Sequence, residues 1–526
     1  MTTVPFEPRF TADITDSPIR MFSGLKSRWH YPDQRLIPGS LIDGYSVNFG
    51  ESGFASRRLG YSKYNSTGYS ASEADTGFIE ASIGSYESLR VIVTPDAIFS
   101  DDRTTRTDIT GSVTLSGGND DHTRFAVIQD TLCATNGKDL WSWDGNIAGT
   151  AIEFAFNSGS GLTSFTTCVD LVEHNNLLVA LSPTEGGTKK KSRIRWSDID
   201  VQTFDGDIAT WRDDNRAEIG EGGEPIIGGV DNWDKLWVIK EDGVYYGKIV
   251  YDNGFLSYVP EGVLRGFHPI ATGSLYARPE FIIGVAYEGI FVIRPDGTVE
   301  IVTLGIQDIW NALNMGRLQY SIAAPREKDH QMRLLCSSSI NVTGHNRVIA
   351  WDWETGDIAV NRYSDIMNHI GHYYNSGVEY DFLGRLSGLY SFQGNDGTTD
   401  NGAAYQYMIL TVPDDCGLPG VSKIIKEIVI YYNEATEIQS VTLKCYRDQN
   451  LRGNRTTSKT LGQKNEYNTG LAYNSGLTYG GGANQKMIFS VNRTAENIQL
   501  EISGGNPLNL IGYQIKYMTD DNNSED

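Results

Sequence analysis

Hydrophobic and polar positions alternate with a period of two along much of the chain, in short runs broken by Gly, Asp and Asn. That period predicts half-buried β-strands rather than helices. The clearest stretch runs from Ser192 to Lys248. Arg193-Ile194-Arg195-Trp196 alternates and closes on Ser197-Asp198, and a polar turn region holding Phe204 and Trp211 follows. Pro225–Val230 leads through a five-residue hairpin region, Asp231–Lys235, into Leu236-Trp237-Val238-Ile239-Lys240. Glu241-Asp242-Gly243 then turns the chain into Val244-Tyr245-Tyr246-Gly247-Lys248. Aspartate-glycine between two runs of β-formers is a strong hairpin signal, because both residues tolerate the backbone such turns need.

The same unit recurs on either side. Ser88–Val93 turns at Thr94-Pro95-Asp96 into Ala97-Ile98-Phe99, and Arg124–Ile128 turns into Thr131–Thr135 and then Asp139–Trp143. Thr167–Val172 pairs with Leu177–Leu181, Phe281–Ala286 with Gly289–Arg294, and Gln331–Cys336 with Arg347–Trp353; Phe382–Phe392 repeats the form. The units recur every ~40–55 residues, the spacing of four-stranded propeller blades. One such sheet cannot bury both faces alone, and radial stacking buries them while leaving only short edges. The expectation is an all-β chain with a six- or seven-bladed β-propeller over residues 86–412; a large β-sandwich array is the alternative. WD40 and kelch signatures are absent.

The flanks read differently. Residues 1–85 form an N-terminal arm and a strand-turn-strand lead-in, with Arg35–Phe49 running through Gly50-Glu51-Ser52-Gly53 to Arg57-Arg58-Leu59-Gly60-Tyr61. The arm is too polar to fold alone and is expected to lie on the propeller or on a neighbouring subunit. Beyond Pro413–Gly420, residues 413–526 predict a β-sandwich from Ile424–Tyr432, Val441–Tyr446, Lys486–Val491, Ile498–Ser503 and Ile511–Tyr517. Between the second and third of these lies a Gly-, Asn-, Ser- and Tyr-rich stretch, 448–485, read as a long flexible loop or tip. The one predicted helix is Asp308–Asn314, with Asp308 as N-cap and Gly316 just past its end.

Composition narrows the function. The 57 glycines and 28 tyrosines fit many tight turns between aromatic-rich strands. The formal net charge is -22, which argues against a protein that grips nucleic acid through its phosphates, though not against a surface that DNA passes without sticking. Five cysteines (Cys133, Cys168, Cys336, Cys416, Cys445) include no Cys-x-x-Cys pair and read as reduced core residues. The first residues carry no basic and apolar leader pattern, and no apolar run has the ~18 residues of a membrane-spanning helix. Cytoplasmic synthesis without membrane insertion is the expectation.

Candidate chemistry is sparse. Ser142-Trp143-Asp144-Gly145 and Pro295-Asp296-Gly297-Thr298 approach the Asp-box turns of glycosidase propellers but have the wrong spacing. With 66 Asp and Glu residues, no carboxylate pair for glycoside cleavage can be singled out. Asp198, Asp200, Asp205, Asp207, Asp213 and Asp214, and separately Asn395, Asp396 and Asp400, have oxygen ligands suited to calcium, but match neither an EF-hand nor a nonapeptide repeat and read better as solvated turns. His-Glu-x-x-His, Gly-x-Ser-x-Gly, phosphate-binding and dinucleotide motifs are missing. Lys189-Lys190-Lys191 with Arg193 and Arg195 is the single basic patch, for which a solvated hairpin end outweighs contact with DNA or an acidic neighbour. The expectation is no enzymatic activity, no catalytic, cofactor-binding or metal-binding residue, and no cofactor.

Two stretches resemble the β-propeller tail-nozzle or tubular hub proteins of short-tailed bacteriophages. One is Arg193–Asp198 followed by Phe204, Trp211, Gly228-Gly229 and Leu236–Tyr245; the other is Pro38-Gly39, Val47-Asn48-Phe49, Gly53 and Arg57-Arg58-Leu59-Gly60. The likeness covers about eighty residues by motif and most of the chain by layout, and transfers no catalytic residue. It implies a virion protein, assembled in the host cytoplasm: a distal nozzle or hub ring, usually six-fold, around the DNA-ejection channel. The implied partners are further copies of the chain, an upstream tail adaptor, and tail fibres or a tail needle, with viral DNA passing without adhesion. A carbohydrate-binding or glycan-cleaving propeller is the alternative.

Overall fold

A computed structural model of the chain describes residues 14–25, 40–49, 55–66, 68, 74–84, 86–199, 206–220, 223–252, 254–338, 343–387, 389–394, 397–433, 439–448, 450–461, 484–505 and 509–519. The fold is all-β. Among the described residues the only α-helix is Gln307–Asn311, between 3-10 turns at Val302–Ile306 and Met315–Tyr320. The expected helix is thus shorter than Asp308–Asn314, and Asp308 lies inside it; Ile306 precedes the helix without a side-chain cap. What anchors this turn is Trp310, fully buried, whose indole N–H donates to the Tyr287 carbonyl at 3.0 Å.

The chain divides into two compact units: Met1–Arg58 with Asp357–Asn361 and Ala404–Asp526, and Leu59–Gly356 with Arg362–Ala403. These limits differ from a reading in three consecutive pieces, because the start of the chain pairs with its end. In the first unit one sheet runs Asn484–Ala495, Lys423–Asn433, Asn509–Thr519, Ala55–Arg57, Val47–Phe49, with Thr15–Asp16 and Arg20–Met21 also beside Asn509–Thr519. The other runs Ser23–Leu25, Ser40–Tyr45, Tyr407–Thr411, Ile498–Gly504, Gln439–Arg447, Asn450–Leu461. Thr15–Asp16, Arg20–Met21 and Ala55–Arg57 of the polar arm therefore find their partner in the C-terminal strand Asn509–Thr519 of the same chain. Stretch 448–485 is partly strand, since Asn450–Leu461 pairs with Gln439–Arg447; residues 462–483 lie outside the described residues. A buried lysine steadies this unit: Lys423 is fully buried and its ammonium donates to the carbonyls of Leu418, Val421 and Glu496 at 2.6–2.8 Å, satisfying all three of its N–H groups.

The second unit holds the repeat. Five four-stranded antiparallel sheets follow one another: sheet I (Gly77–Ile83 to Arg106–Asp108), sheet II (Arg124–Ile128 to Ile152–Glu153), sheet III (Asp170–His174, Leu177–Leu181, Arg193–Trp196, Arg216–Glu218), sheet IV (Ile226–Asn232 to Phe255–Leu264) and sheet V (Pro269–Arg278 to Val299–Ile301). Sheet VI has seven strands, from Ile322–Arg326 through the 18-residue strand Ile358–Asn375, of which 362–375 belong to this unit, to Phe392–Gly394, with Tyr61–Lys63 from the start of the unit as its last strand. Two-residue turns close many of the hairpins. Gln129-Asp130, Asn175-Asn176 and Trp233-Asp234 all have positive φ at both positions, the geometry whose twist matches that of the flanking strands. The expected five-residue hairpin at Asp231–Lys235 is in fact this tight form, with Asn232 directly opposite Lys235.

Cores form between successive sheets. Val91, Ile98, Leu132, Trp141 and Trp143 join sheets I and II, Leu171, Leu178 and Cys133 join II and III, Trp196, Val179 and Val238 join III and IV, and Trp237, Ile239, Ile282 and Phe291 join IV and V. Phe281 of sheet V meets Trp351 of sheet VI edge-on, with ring centroids 5.4 Å apart. Sheet VI packs against itself, bringing Ile322, Leu335 and Val348 onto Met367, Ile370 and Leu383. Its last part returns to sheet I: Phe78 stacks on Phe382 at 4.1 Å, with Tyr64 and Tyr373 around them. All five cysteines are buried free thiols.

Candidate functional site

The first strands of the sheets in the second unit line a cavity of about 490 Å³, with Asp120, His122, Arg124, Lys138, Lys189 and Tyr320 among its walls. A smaller one of about 150 Å³ adjoins it at Arg124 and Gly273 and is lined by Phe78, Tyr276 and His369. The strands around it are cross-linked by polar groups. Asp170 accepts from Arg124 Nε at 3.2 Å and from the Gly229 amide at 3.0 Å, and His174 Nδ1 lies 2.5 Å from Asp231. Thr272 donates to the Ile227 carbonyl at 2.6 Å, Thr123 N–H donates to the Thr76 carbonyl at 2.8 Å, and Asn368 donates to the Asp75 carbonyl at 3.0 Å. Gly228 and Gly229 allow close packing here: a Cβ on Gly228 would stand 2.8 Å from the Asp170 and Leu275 side chains, and one on Gly229 2.6 Å from Leu181 and 2.9 Å from the Trp237 carbonyl.

Asp120, at the wall of the larger cavity, is held from one side. Arg317 holds Asp120 with both terminal nitrogens, at 2.6 and 3.3 Å, and Asn368 donates to the Asn119 carbonyl at 2.7 Å. Three imidazoles converge at His122, which lies 6.5 Å from His345 and 6.1 Å from His369 between ring centroids. Burial is the main cause that pushes all three down: His122 to about 4, His345 to about 3, His369 well below its ordinary value. His122 keeps some contact with the solvent of the cavity, but protein surrounds it closely enough for desolvation to outweigh the attraction of Asp120. These rings are neutral at pH 7. Among the described residues no group of three His, Cys, Asp or Glu side chains is arranged to hold a metal ion.

Two pairs resemble nucleophile–base arrangements. Ser337 Oγ lies 3.1 Å from His345 Nδ1. The other imidazole nitrogen faces the Tyr320 carbonyl at 3.0 Å instead of a carboxylate, and both side chains are buried, so neither a triad nor an approach for substrate is formed. Lys240 Nζ reaches Ser192 Oγ at 3.4 Å and the Ile219 carbonyl at 2.9 Å. It too is buried, and burial lowers its pKa; it acts as a tie between strands.

The residues weighed on sequence grounds scatter. Arg193 and Arg195 both clamp Glu185, and Arg193 also holds Glu218 at 2.7 Å, so the two arginines of the basic patch are paired within the chain, while Lys189 lines the cavity. Asp198 pairs with Arg212, Asp207 accepts from the Ala209 amide at 3.1 Å, and Asp400 accepts from Ser364 at 3.4 Å. Asp200, Phe204, Asp205, Asn395 and Asp396 lie outside the described residues. Asp144 and Asp296 cap their own turns through the amides of Asn146 and Thr298. What sequence reasoning missed is the histidine cluster: His122, His345 and His369 are far apart in the chain, and only the assembly of the sheets brings them together.

A second recess lies on the outer side of sheets III and IV. It measures about 390 Å³ and is lined by Asp198, Arg212, Asp214, Asn215, Tyr251 and Phe255, among others.

Comparison with known proteins places the chain in no family: no family model matches, and no curated protein matches. Among solved structures, PorZ, an essential bacterial surface component of the type-IX secretion system of Porphyromonas gingivalis, is similar over 68% of this chain and 44% of its own, at 14% identity and a TM-score of 0.35. The chain therefore spans less than half of that protein. A putative exported protein from Bacteroides fragilis covers 49% of this chain and 78% of its own, at 9% identity and a TM-score of 0.29. At these scores neither likeness bears on function.

Proposed function

We propose that the chain is a structural subunit of a bacteriophage tail, a propeller-based nozzle or hub protein whose copies form a ring around the DNA-ejection channel, and that it has no catalytic role. In this reading the second unit is a closed seven-bladed propeller. Sheets I to V are five blades, and sheet VI is two, with the long strand Ile358–Asn375 serving as the last strand of one and the first of the next. Tyr61–Lys63 pairs with Phe392–Gly394 and supplies the outermost strand of the seventh blade, so the two ends of the repeat are stitched together. The stacking of Phe78 on Phe382 supports the closure, and the first unit reads as a two-sheet sandwich.

The observation that carries the reading is where the residues of the phage resemblance fall. They are joints. Val47–Phe49 and Ala55–Arg57 form a hairpin, Arg57 and Arg58 lie over the Tyr405 ring at 3.6 and 3.9 Å, and Gly60 sits where a Cβ would be 2.0 Å from the Thr399 carbonyl. Gly228 and Gly229 let neighbouring sheets approach, and Trp196 and Trp237 fill the cores on either side. A resemblance made of joints argues for shared architecture rather than shared chemistry. In this reading the DNA conduit is the axis of the ring, not the cavity within one subunit. Six-fold symmetry, an upstream adaptor, and fibres or a needle as neighbours come from the resemblance. The net charge of -22 suits a conduit wall that repels phosphates. Virions lacking this protein are expected to lose the distal tail and to leak or fail to deliver DNA; an intact tail with normal delivery overturns the proposal.

A further inference from the structure

The outer recess between sheets III and IV has a chemistry of its own. One wall is a pair of segments zipped together: Asn157 N–H donates to Ala209 O at 2.8 Å, Thr163 N–H to Trp211 O at 2.9 Å and Asp213 N–H to Gly161 O at 3.0 Å. Asn157 also donates its side-chain amide to Thr210 Oγ1 at 2.8 Å. Trp211 lies fully buried behind this wall, edge-on to Phe165 at 4.9 Å, which fixes its position. The opposite wall is the end of the hairpin Gly243–Asp252 and Phe255–Leu264. That hairpin overhangs its sheet: Lys235–Lys240 pairs with it only as far as Gly247, while Lys248–Asp252 pairs only with Phe255–Val259. Its end presents two aromatic rings to solvent, Tyr251 at 45% and Phe255 at 67% exposure.

Between the walls the polar groups are planar and mixed in sign. The Arg212 side chain is 47% exposed and paired with Asp198, Asp214 lies at the surface and Asn215 is buried beside them. Exposed aromatics cost free energy in water unless something covers them, and their flat faces suit a partner with one apolar face and a polar rim. A pyranose ring is such a partner: axial C–H groups pack on the aromatic face, and the hydroxyls meet carboxylate, amide and guanidinium groups. Two carboxylates in the recess and the acidic chain as a whole disfavour phosphates and uronic acids. The volume lies in the range of small-ligand sites, ~300–1,000 Å³.

We propose that this recess binds a neutral, hydroxyl-rich glycan, with Phe255 and Tyr251 as the stacking platform and Asp198, Arg212 and Asp214 as the hydroxyl-binding edge. The site needs neither the ring nor the tail, so it is tested on the isolated full chain and stands or falls separately from the function proposed above. The chain is probed with neutral polysaccharides (dextran, mannan, β-glucan, N-acetylglucosamine oligomers) and acidic ones (alginate, hyaluronate), and binding is followed by calorimetry. The expected result is binding of at least one neutral probe and none of the acidic ones. Phe255→Ala and Tyr251→Ala should each weaken it about ten-fold or more, and Phe255→Ala, at a ring 67% exposed, should leave the thermal midpoint unchanged. Tyr374→Ala, at a half-exposed aromatic elsewhere in the unit, should leave affinity unchanged. Failure of every neutral probe, binding of acidic probes alone, or equal affinity in Phe255→Ala and Tyr251→Ala overturns the proposal.

Discussion

At the scale of single residues, burial decides what a side chain can do. Trp237 is 2% exposed, stacks on Tyr246 at 4.6 Å and donates its indole N–H to the Asn232 carbonyl at 3.0 Å. Trp237→Ala should therefore cost ~3–5 kcal/mol, the range for removing a large aromatic from a core; chemical denaturation measures it, and a loss under ~0.5 kcal/mol would be a surface value. The buried histidines give a pH dependence with a definite sign. His122 titrates near 4 in the fold and near ~6.5 in an unfolded chain. The unfolded state thus binds the proton first, and stability present above ~6.5 is lost as pH falls toward 4. Asp75 works in the opposite direction over part of this window, because burial raises it to about 6 and the fold then weakens as pH rises through that range. The clean measurement is a difference: His122→Gln should show a smaller loss of stability between pH 7 and 4 than the unaltered chain, and an equal loss would remove His122 from the account. None of this was legible in the sequence, where eight scattered histidines carried no spacing to link them.

At the scale of elements, local pattern read well and distant pairing did not. Period-two alternation located the hairpin strands of sheets II to V that are closed by neighbours in sequence, but not Ile152–Glu153, Arg216–Glu218, Phe255–Leu264 or Pro269–Arg278. Arg193–Trp196 shows why it works: Ile194 and Trp196 face the core while Arg193 and Arg195 meet Glu185 on the other side. The turn Trp233-Asp234 was read as too long, because tryptophan rarely takes positive φ. Here its ring is held against Trp237 at 5.4 Å and its N–H reaches the Pro279 carbonyl at 2.7 Å, so tertiary contacts set the turn. The polar arm misled for another reason. Three of its strands pair with residues more than four hundred positions away, as Thr15 does with Tyr517, and no window of sequence sees such a partner. The lead-in strand is the same case, joined to its sheet at Gly60. Gly60→Ala places a Cβ against the Thr399 backbone, which cannot move aside as a side chain can. The expected cost is ~1–3 kcal/mol, as for other overpacked sites. Hydrogen exchange should rise first in Tyr61–Lys63 and Phe392–Gly394; faster exchange spread evenly over all sheets would mean that the strand does not act as a separate clasp.

At the scale of the whole molecule, charge and assembly pull against each other. A net charge of -22 keeps DNA from adhering but also makes bare subunits repel. The repulsion is screened over ~10 Å at 0.1 M salt and ~3 Å at 1 M, whereas apolar contacts such as those offered by Val259 and Val263, both more than 40% exposed, are not weakened by salt. If the chain has the proposed role of a ring subunit, it should be monomeric in dilute buffer and associate as ionic strength rises, or at ordinary ionic strength once the proposed upstream tail adaptor supplies a template. Sedimentation velocity across a salt series, with and without the adaptor, tests this directly, and electron microscopy of the associated species gives its symmetry. A closed ring under either condition supports the nozzle reading, with six-fold symmetry expected from the resemblance. A chain that stays monomeric at every salt concentration and on the adaptor alike would leave the acidic surface without the role assigned to it, and would shift the weight to a solitary glycan-binding protein.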